Sequence, residues 1–207
     1  VGNVGSLVVE YARSWGFRVL CSDPPRERAE GLGEKDGYVP LEQLLRESDI
    51  VTLHTPLLRG GENPTFHLIS DQTLALLKDG ATLLNASRGE VADTQALLRH
   101  SDRLTLCIDV WEGEPDDINR ELLRVAEIST PHIAGYSAQG KANASAIVIE
   151  ALAERLGIEP LRGWYPEGVR RSAPRPISWE EMCREIDGYC HLEEESQRMK
   201  REPEDFE

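Results

Sequence analysis

Gly2-Asn3-Val4-Gly5, close to the start of the chain, has the spacing of the last four positions of G-x-G-x-x-G. In that motif one glycine lets a pyrophosphate approach the backbone, and the next lets a helix pack closely on a strand. The N–H groups at the start of the helix then face the phosphates. The stretch therefore predicts that these four residues bind a dinucleotide, and that the motif begins before Val1. The residues alone leave open that Gly2 and Gly5 are ordinary turn residues.

Asp23 strengthens this prediction because it follows the next predicted strand, 18 residues after Gly5. A carboxylate at that place accepts hydrogen bonds from the ribose hydroxyls of NAD. Its charge also disfavours the additional phosphate of NADP, so the expected cofactor is NAD. The alternative is that Asp23 only forms a turn before Pro24 and Pro25.

Short apolar segments alternate with segments of helical periodicity along the first 157 residues. The predicted strands are 17–21, 50–54, 81–85, 104–110 and 127–129, and the predicted helices are 2–15, 41–47, 72–77, 94–99 and 121–125. Strands that alternate with helices in this way form parallel sheets. We therefore expect an α/β fold with a doubly wound parallel sheet, which is a Rossmann-like NAD-binding domain.

The sequence changes character after a long helical pattern at residues 137–156. Prolines recur through residues 158–180, and glutamate and arginine dominate the residues from 180 to 207. We therefore divide the chain into an NAD-binding domain, residues 1–157, and a truncated C-terminal appendage, residues 158–207. One short helix is predicted at 179–186, and the charged tail is expected to be solvated surface.

The composition limits the classes of partner. The 207 residues are 40% hydrophobic and carry a formal net charge of -14. A negative field of that size repels phosphate groups, so neither nucleic acid nor an anionic membrane is expected as a partner. No apolar stretch reaches the ~20 residues of a membrane span, and the start of the chain has no signal-peptide pattern. The four cysteines form no CxxC pair, which favours a reducing compartment.

Arg88, Glu114 and His132 each lie a few residues past the end of a predicted strand. Doubly wound folds bind their ligands at the carboxyl ends of the strands, so these side chains are expected on one rim of the sheet. Taken singly, each has a simpler explanation. Arg88 could be a structural ion-pair partner, Glu114 a solvated surface charge and His132 a loop residue.

These three side chains suit the oxidation of a 2-hydroxy acid. His132 can accept the hydroxyl proton, because an imidazole exchanges protons readily near neutral pH. A hydrogen bond from the ring to Glu114 would fix the tautomer and stabilise the imidazolium. Arg88 can bind the substrate carboxylate with two parallel hydrogen bonds and polarise the C2 oxygen. This chemistry needs no metal ion.

The motifs together resemble the D-isomer-specific 2-hydroxyacid dehydrogenase family. The resemblance covers nearly all of residues 1–157, and it rests on the glycine stretch, Asp23, and the stretches 54–57, 85–93, 109–115 and 131–136. It implies that NAD is the cofactor and that Arg88, Glu114 and His132 are catalytic. The cofactor contacts that we assign on this basis are Gly2, Asn3, Val4, Gly5, Asp23, Thr55, Ala86, Asp109 and Gly135. Substrate contacts are assigned to Arg88 and Tyr136.

Three stretches, 21–25, 109–115 and 132–137, resemble one branch of that family. The branch oxidises 4-phospho-D-erythronate to a 2-oxo acid on the way to pyridoxal phosphate, in a cytoplasmic homodimer. The resemblance therefore implies a phosphorylated 2-hydroxy acid as the substrate, and residues 158–207 as the start of a dimerisation region. The family's substrate domain, which precedes the glycine stretch, is absent, so we expect the isolated chain to be inactive.

Two other functions stay open on the residues alone. One is a dehydrogenase for another 2-hydroxy acid, such as glycerate or phosphoglycerate. The other is a non-catalytic interaction protein that senses NAD. The joint presence of Arg88, Glu114 and His132 weighs against the second, because a sensor needs only the dinucleotide site.

Overall fold

The computed structural model describes residues 1–171 and 175–202. Contacts group the chain into two compact units. The first unit contains Val1–Pro131 together with the residues from Ile177 onward, and the second unit is His132–Pro176. The boundary expected between residues 157 and 158 separates an NAD-binding domain from an appendage. That functional division stays a prediction.

A parallel sheet of four strands lies in the first unit. The strands are β1 (Ile50–Leu53), β2 (Thr82–Asn85), β3 (Thr105–Ile108) and β4 (Ile128–Ser129), and they neighbour one another in that order. Because every pair is parallel, the carboxyl ends of all four strands lie along one edge of the sheet. The predicted α/β class with a parallel sheet is confirmed.

Three helices connect neighbouring strands, as parallel pairing requires, and the others precede β1 or follow β4. In chain order the helices are α1 (Asn3–Ser14), α2 (Pro24–Glu30), α3 (Leu41–Glu47), α4 (Asp71–Leu74), α5 (Thr94–His100), α6 (Arg120–Val125), α7 (Ala138–Leu156), α8 (Trp179–Tyr189) and α9 (Leu192–Arg201). All of them except α7 belong to the first unit. In the ranges that the structure describes, no helix combines the length and the apolar character needed to cross a membrane.

The core of the first unit lies where helices pack on the middle of the sheet. Leu83 of β2 and Leu106 of β3 are at most 1% exposed, and Leu45 of α3 and Leu122 of α6 belong to the same cluster. Full burial of one such side chain stabilises the fold by about 1.5–3 kcal/mol. The strand ends that carry the candidate site are therefore fixed by a continuous apolar core.

The prediction of a strand at residues 17–21 is wrong. Only Cys21 pairs there, in an isolated bridge with Tyr38. The N–H of Cys21 donates to the carbonyl of Gly37 at 2.7 Å, and the N–H of Val39 donates to the carbonyl of Cys21 at 2.9 Å. A run of apolar residues becomes a strand only where a neighbour offers matching donors and acceptors along its length, and this segment has a partner at one residue.

The helix α2 was not predicted from the sequence. Proline is favourable in the first turn of a helix, where its missing N–H would have no intrahelical partner. Asp23 caps this helix, since its carboxylate accepts a hydrogen bond from the N–H of Arg26 at 3.1 Å. The same aspartate therefore has a local structural role beside its expected role in cofactor binding.

Most of α9 is exposed, as expected for a charged tail, but one face of the helix is buried, which the sequence analysis did not predict. Met199 is 5% exposed and belongs to the core cluster. The hydroxyl of the buried Ser196 accepts a hydrogen bond from the N–H of Ser129 in β4 at 2.9 Å. These two positions lie on one face of an amphipathic helix. They are hard to recognise in the sequence because most of the surrounding residues are charged.

The second unit consists of α7 and the loops on either side of it. Ser137 caps the helix by accepting a hydrogen bond from the N–H of Gly140 at 2.9 Å, and Gly157 ends it with a φ of 66°. The bounds agree with the predicted helix at 137–156. Beyond it, the N–H of Gly163 donates to the Glu150 carboxylate at 2.6 Å, which ties the following loop to the helix.

Candidate active site and cofactor site

The glycine stretch begins α1, as the sequence predicts. Gly2 is its extended N-cap, and the N–H of Ser6 donates to the Gly2 carbonyl at 2.9 Å. Gly5 is buried, and a Cβ added there would lie 3.3 Å from the Cβ of His54. Glycine at this position therefore allows the start of α1 to approach the residues that follow β1, which is the close packing expected of the motif.

Asp23 lies beside the glycine stretch. One oxygen of its carboxylate accepts from the Arg26 N–H, and the other accepts from the backbone nitrogen of Val1. Burial raises the pKa of Asp23, and the hydrogen bond from the Arg26 N–H acts in the opposite direction. The carboxylate is therefore placed next to the glycine stretch, where a ribose would need it.

Arg26 links the same two segments. Its guanidinium donates to the carbonyl of Val1 at 2.6 Å and to the hydroxyl of Ser6 at 3.0 Å, while its Nε donates to Glu30 at 2.9 Å. The sequence analysis did not single out this residue. It holds the start of α2 against the start of α1.

Thr55 follows β1 and is half-buried. Its neighbour His54 is the residue that Gly5 approaches, so Thr55 lies one position from the packing contact with α1. Burial lowers the pKa of His54. Three of the expected cofactor contacts, the glycine stretch, Asp23 and Thr55, thus belong to adjoining segments of the first unit.

Arg88 stands at the carboxyl end of β2 in a loop that Asn85 organises. The amide of the buried Asn85 donates to the Arg88 carbonyl at 3.0 Å and accepts from the Ser87 hydroxyl at 2.9 Å. The guanidinium of Arg88 donates to the Ser87 carbonyl at 2.6 Å, and the side chain is exposed. Ala86, in the same loop, is also exposed. Over residues 1–171 and 175–202, no carboxylate forms a salt bridge with Arg88, which leaves the guanidinium available to an anionic ligand.

Gly89 brings the loop of Arg88 against the loop of Glu114. A Cβ on Gly89 would overlap the carbonyl group of Trp111, so no other residue fits without a backbone shift. Trp111 is 2% exposed, and its indole N–H donates to the carbonyl of Thr130 at 2.9 Å. The two loops therefore meet through backbone contact rather than through flexible side chains.

The loop after β3 carries Asp109 and Glu114. The Asp109 carboxylate is buried and accepts from the Thr130 hydroxyl at 2.6 Å. The Glu114 carboxylate accepts from the N–H of Trp111 at 2.9 Å, which folds the loop back on itself. Since β2 and β3 are neighbours, Arg88 and Glu114 follow adjacent strands of one sheet edge. That the two side chains act in one catalytic site stays a prediction.

Glu112 and His67 form a pair that sequence reasoning missed. The Nε2 atom of His67 lies 2.7 Å from one oxygen of the Glu112 carboxylate, and the other oxygen accepts from the N–H of Thr94 at 2.8 Å. Burial raises the pKa of Glu112, but the hydrogen bonds from Thr94 and His67 lower it below its usual value. The only signal in the sequence is that Glu112 lies two residues before Glu114.

The remaining predicted site residues, His132, Gly135 and Tyr136, lie in the second unit. His132 has a positive φ of 55°, which is uncommon for a residue other than glycine. Tyr136 is 70% exposed, and the ammonium of Lys141 lies 3.4 Å from the centre of its ring. A hydrogen bond with Lys141 lowers the pKa of Tyr136. That His132 joins Arg88 and Glu114 in one site stays a prediction.

A family model for the NAD-binding domain of D-isomer specific 2-hydroxyacid dehydrogenases matches residues 1–134. The chain belongs to this family. The match contains the glycine stretch, Asp23 and all three residues predicted to be catalytic. The family binds NAD, so the prediction of NAD as the cofactor is confirmed.

The curated relatives carry the name of one specific enzyme within this family. The chain is 46% identical over 167 residues to an erythronate-4-phosphate dehydrogenase of Pseudomonas paraeruginosa, which covers 76% of this chain and 43% of that protein. It is 44% identical over 180 residues to an enzyme of the same name from Yersinia pestis, which covers 86% of this chain and 45% of that protein. The chain thus spans less than half the length of these relatives.

Solved structures give the same fold. A D-lactate dehydrogenase from Aquifex aeolicus, complexed with NAD and lactic acid, is 30% identical with a TM-score of 0.61, covering 82% of this chain and 56% of that chain. A D-lactate dehydrogenase from Lactobacillus jensenii with NAD+ is 26% identical with a TM-score of 0.61, covering 76% and 51%. The resemblance to the dehydrogenase family that the motifs predict is confirmed.

Proposed function

We propose that this chain forms the NAD-binding part of an enzyme that oxidises 4-phospho-D-erythronate to (R)-3-hydroxy-2-oxo-4-phosphooxybutanoate. The names of relatives at 44–46% identity support this substrate. The observation that carries the proposal is the backbone contact of Gly89 with Trp111, because it holds the loops of Arg88 and Glu114 side by side. The product lies on the way to pyridoxal and pyridoxine 5'-phosphate, so the proposed process is vitamin B6 biosynthesis.

The residues at the start of α1 fit the dinucleotide that this reaction requires. Only a small residue at Gly5 lets α1 approach His54, and Asp23 presents its carboxylate beside the glycine stretch. We assign the phosphates to the backbone of the glycine stretch and the adenosine ribose to Asp23. We place Thr55 and Ala86 along the cofactor, and Asp109 and Gly135 at its nicotinamide end.

When bound, NAD supplies the acceptor for the hydride that leaves C2 of the substrate. In the proposed mechanism Arg88 binds the substrate carboxylate, which orients C2 and polarises its oxygen. His132 takes the hydroxyl proton as the carbonyl forms. Glu114 accepts a hydrogen bond from the other ring nitrogen, which fixes the tautomer and stabilises the imidazolium. Tyr136 contacts the rest of the substrate.

The test is formation of NADH from 4-phospho-D-erythronate by the protein that carries this chain, with D-lactate, D-glycerate and 3-phospho-D-glycerate measured in parallel. We expect the highest kcat/KM for 4-phospho-D-erythronate. If NAD binds and none of the four acids yields NADH, the protein is not the proposed dehydrogenase and the NAD-sensing alternative gains support.

A dehydrogenase for a different 2-hydroxy acid is the second candidate. The likeness to D-lactate dehydrogenases at 26–30% identity favours it, because these enzymes share the same domain with other substrates. A kcat/KM for one of the other three acids that exceeds the value for 4-phospho-D-erythronate would establish this candidate instead.

We further propose that the protein works as a cytoplasmic homodimer on its phosphorylated substrate, and that residues 158–207 contribute to the dimer. The resemblance to the branch supports this arrangement. The isolated 207-residue chain should bind NAD weakly and form no NADH. Sedimentation velocity on the purified chain tests whether it forms a dimer, and an NADH assay tests whether it is inactive. Measurable turnover by the chain would contradict the expected inactivity.

A further inference from the structure

We propose that His67 is a positioning residue for the hydride-transfer site, acting through Glu112 to fix the loop that carries Glu114. The inference rests on the proposed function for its catalytic meaning. It concerns residues that lie outside the predicted site and that the family match does not by itself assign.

The first step is the environment of Glu112. Both oxygens of its carboxylate are held, one by the ring of His67 and the other by the backbone N–H of Thr94. The side chains of His67 and Glu112 are 32% and 25% exposed, so the pair is only partly open to water. Hydrogen bonds to a charged group in such surroundings are stronger and more directional than those between neutral groups.

His67 lies in a segment whose backbone is fixed by neighbouring residues. A segment before α4 runs beside the chain that follows Arg88: the N–H of His67 donates to the Glu90 carbonyl at 2.8 Å, and Ile69 pairs with Ala92. His67 has a positive φ of 50°, a conformation that costs free energy for a residue with a Cβ. This conformation accompanies the approach of its ring to Glu112.

The third step is the support of the ring. Phe66 stacks on His67 with ring centres 4.0 Å apart, and the guanidinium of Arg59 lies 4.6 Å from the centre of Phe66. Arg59 also forms a salt bridge with Glu90 at 3.1 Å, and the carboxylate of Asp93 lies 3.9 Å from Nδ1 of His67. The ring is therefore supported on its face by Phe66 and held at Nε2 by Glu112.

The last step connects the pair to the catalytic loop. Glu112 is followed by Gly113 and Glu114, and the Glu114 carboxylate accepts from the N–H of Trp111. The loop is thus tied at Trp111 to Gly89, and at Glu112 to both His67 and Thr94. Removing the His67 donor leaves one oxygen of Glu112 without its protein partner, and the loop gains freedom relative to Arg88.

The direct test is amide hydrogen exchange at Trp111 in the protein that carries this chain, because that N–H reports the closed form of the loop. His67→Ala should speed its exchange by about tenfold, and His67→Gln, which restores a side-chain N–H donor, should recover most of the protection. The matched control is His100→Ala. His100 also faces a carboxylate, that of Asp71 at 3.5 Å, but on α5 away from Glu114.

Unchanged exchange at Trp111 in His67→Ala, or an equal increase in His100→Ala, would overturn the proposal. So would an increase in His67→Ala that His67→Gln does not reduce, because the donor would then be irrelevant. Measuring the melting temperature of each variant separates a local opening from loss of the fold.

The second test measures catalysis in the protein that carries this chain. We expect His67→Ala to lower kcat by about tenfold while the KM for NAD changes less than about twofold. The double variant with Glu112→Gln should lose no more than the more impaired single variant, because both act through one contact. If the wild type turns over substrate and His67→Ala has the same kcat, the positioning role is refuted. Absence of turnover in the wild type would instead refute the proposed function, and the exchange experiment would still decide whether His67 holds the loop.

Discussion

Asp23 combines two functions in a single side chain, as the cap of α2 and as the proposed ribose ligand. Asn caps helices about as well as Asp, so Asp23→Asn removes the charge while keeping the cap. We expect the Kd of NAD to rise on the order of tenfold, since a hydrogen bond to a charged acceptor is weakened. The preference for NAD over NADP should fall as well. Calorimetric titration of both nucleotides checks this, and an unchanged ratio of the two Kd values would argue against ribose binding by Asp23.

His132 is the proposed proton acceptor. Replacing it with asparagine keeps a polar side chain but removes the general base, so we expect kcat to fall by roughly 10²–10⁴-fold. The Kd of NAD should stay the same, because the ring is assigned no role in holding the dinucleotide. Steady-state kinetics of the protein that carries this chain test the prediction. Turnover near the wild-type rate would remove His132 from the mechanism, and His100→Asn is the matched control.

Single residues differ in how far the sequence could predict them. Gly5 and Asp23 were foreseeable, because motif spacing and local chemistry are written in neighbouring positions. The pair of His67 and Glu112 was not, since its members are 45 residues apart and meet only through a positive φ at His67. Arg26 was missed for a similar reason, because its contacts with Val1 and Ser6 arise only when α2 packs beside α1.

The turn after β2 depends on Gly89. Because a Cβ there would overlap the carbonyl of Trp111, Gly89→Ala should lower the free energy of unfolding by about 1–3 kcal/mol or more. Gly188→Ala is the matched control. Gly188 lies within α8 with open space around its Cα, so alanine should raise the free energy of unfolding by roughly 0.5–1 kcal/mol. Urea denaturation measures both, and equal stability of the two variants would contradict the close approach of the loops.

The helix α9 completes the packing beside β4. Ser196→Ala removes the acceptor for the buried N–H of Ser129, which should cost about 1–3 kcal/mol of unfolding free energy. Gln197→Ala, at an exposed neighbouring position, should change it by less than about 0.5 kcal/mol. Denaturant titration distinguishes the two. A Ser196→Ala variant as stable as the wild type would show that α9 does not hold the edge of the sheet.

Regular elements followed from the sequence where periodicity and capping agreed. β1, β2 and β3 lie within their predicted segments, and α7 lies within the helix predicted at 137–156. The prediction failed at residues 17–21, where an apolar run has a pairing partner only at Cys21. It failed again at α9, because hydrophobic periodicity is hard to detect when two buried positions are surrounded by charge.

For the molecule as a whole, a partly buried carboxylate makes stability depend on acid pH. The pKa of Glu112 is lowered in the folded chain, because the hydrogen bonds from Thr94 and His67 to its charged form outweigh the effect of burial. Its contribution to stability is therefore complete above the unfolded pKa near ~4 and is lost as pH falls through the lower folded value. Urea denaturation should show a free energy of unfolding that decreases below about pH 4, and less steeply in Glu112→Gln. A steeper decrease in that variant would contradict the pairing.

The central claim is that the protein removes a hydride from C2 of 4-phospho-D-erythronate. The most direct measurement uses substrate with deuterium at C2, NAD, and the protein that carries this chain, followed by mass spectrometry of the reduced nucleotide. The account predicts that deuterium appears in the NADH, and that the wild type forms it much faster than His132→Asn. Absence of reduced nucleotide, or NADH without deuterium, would contradict the account.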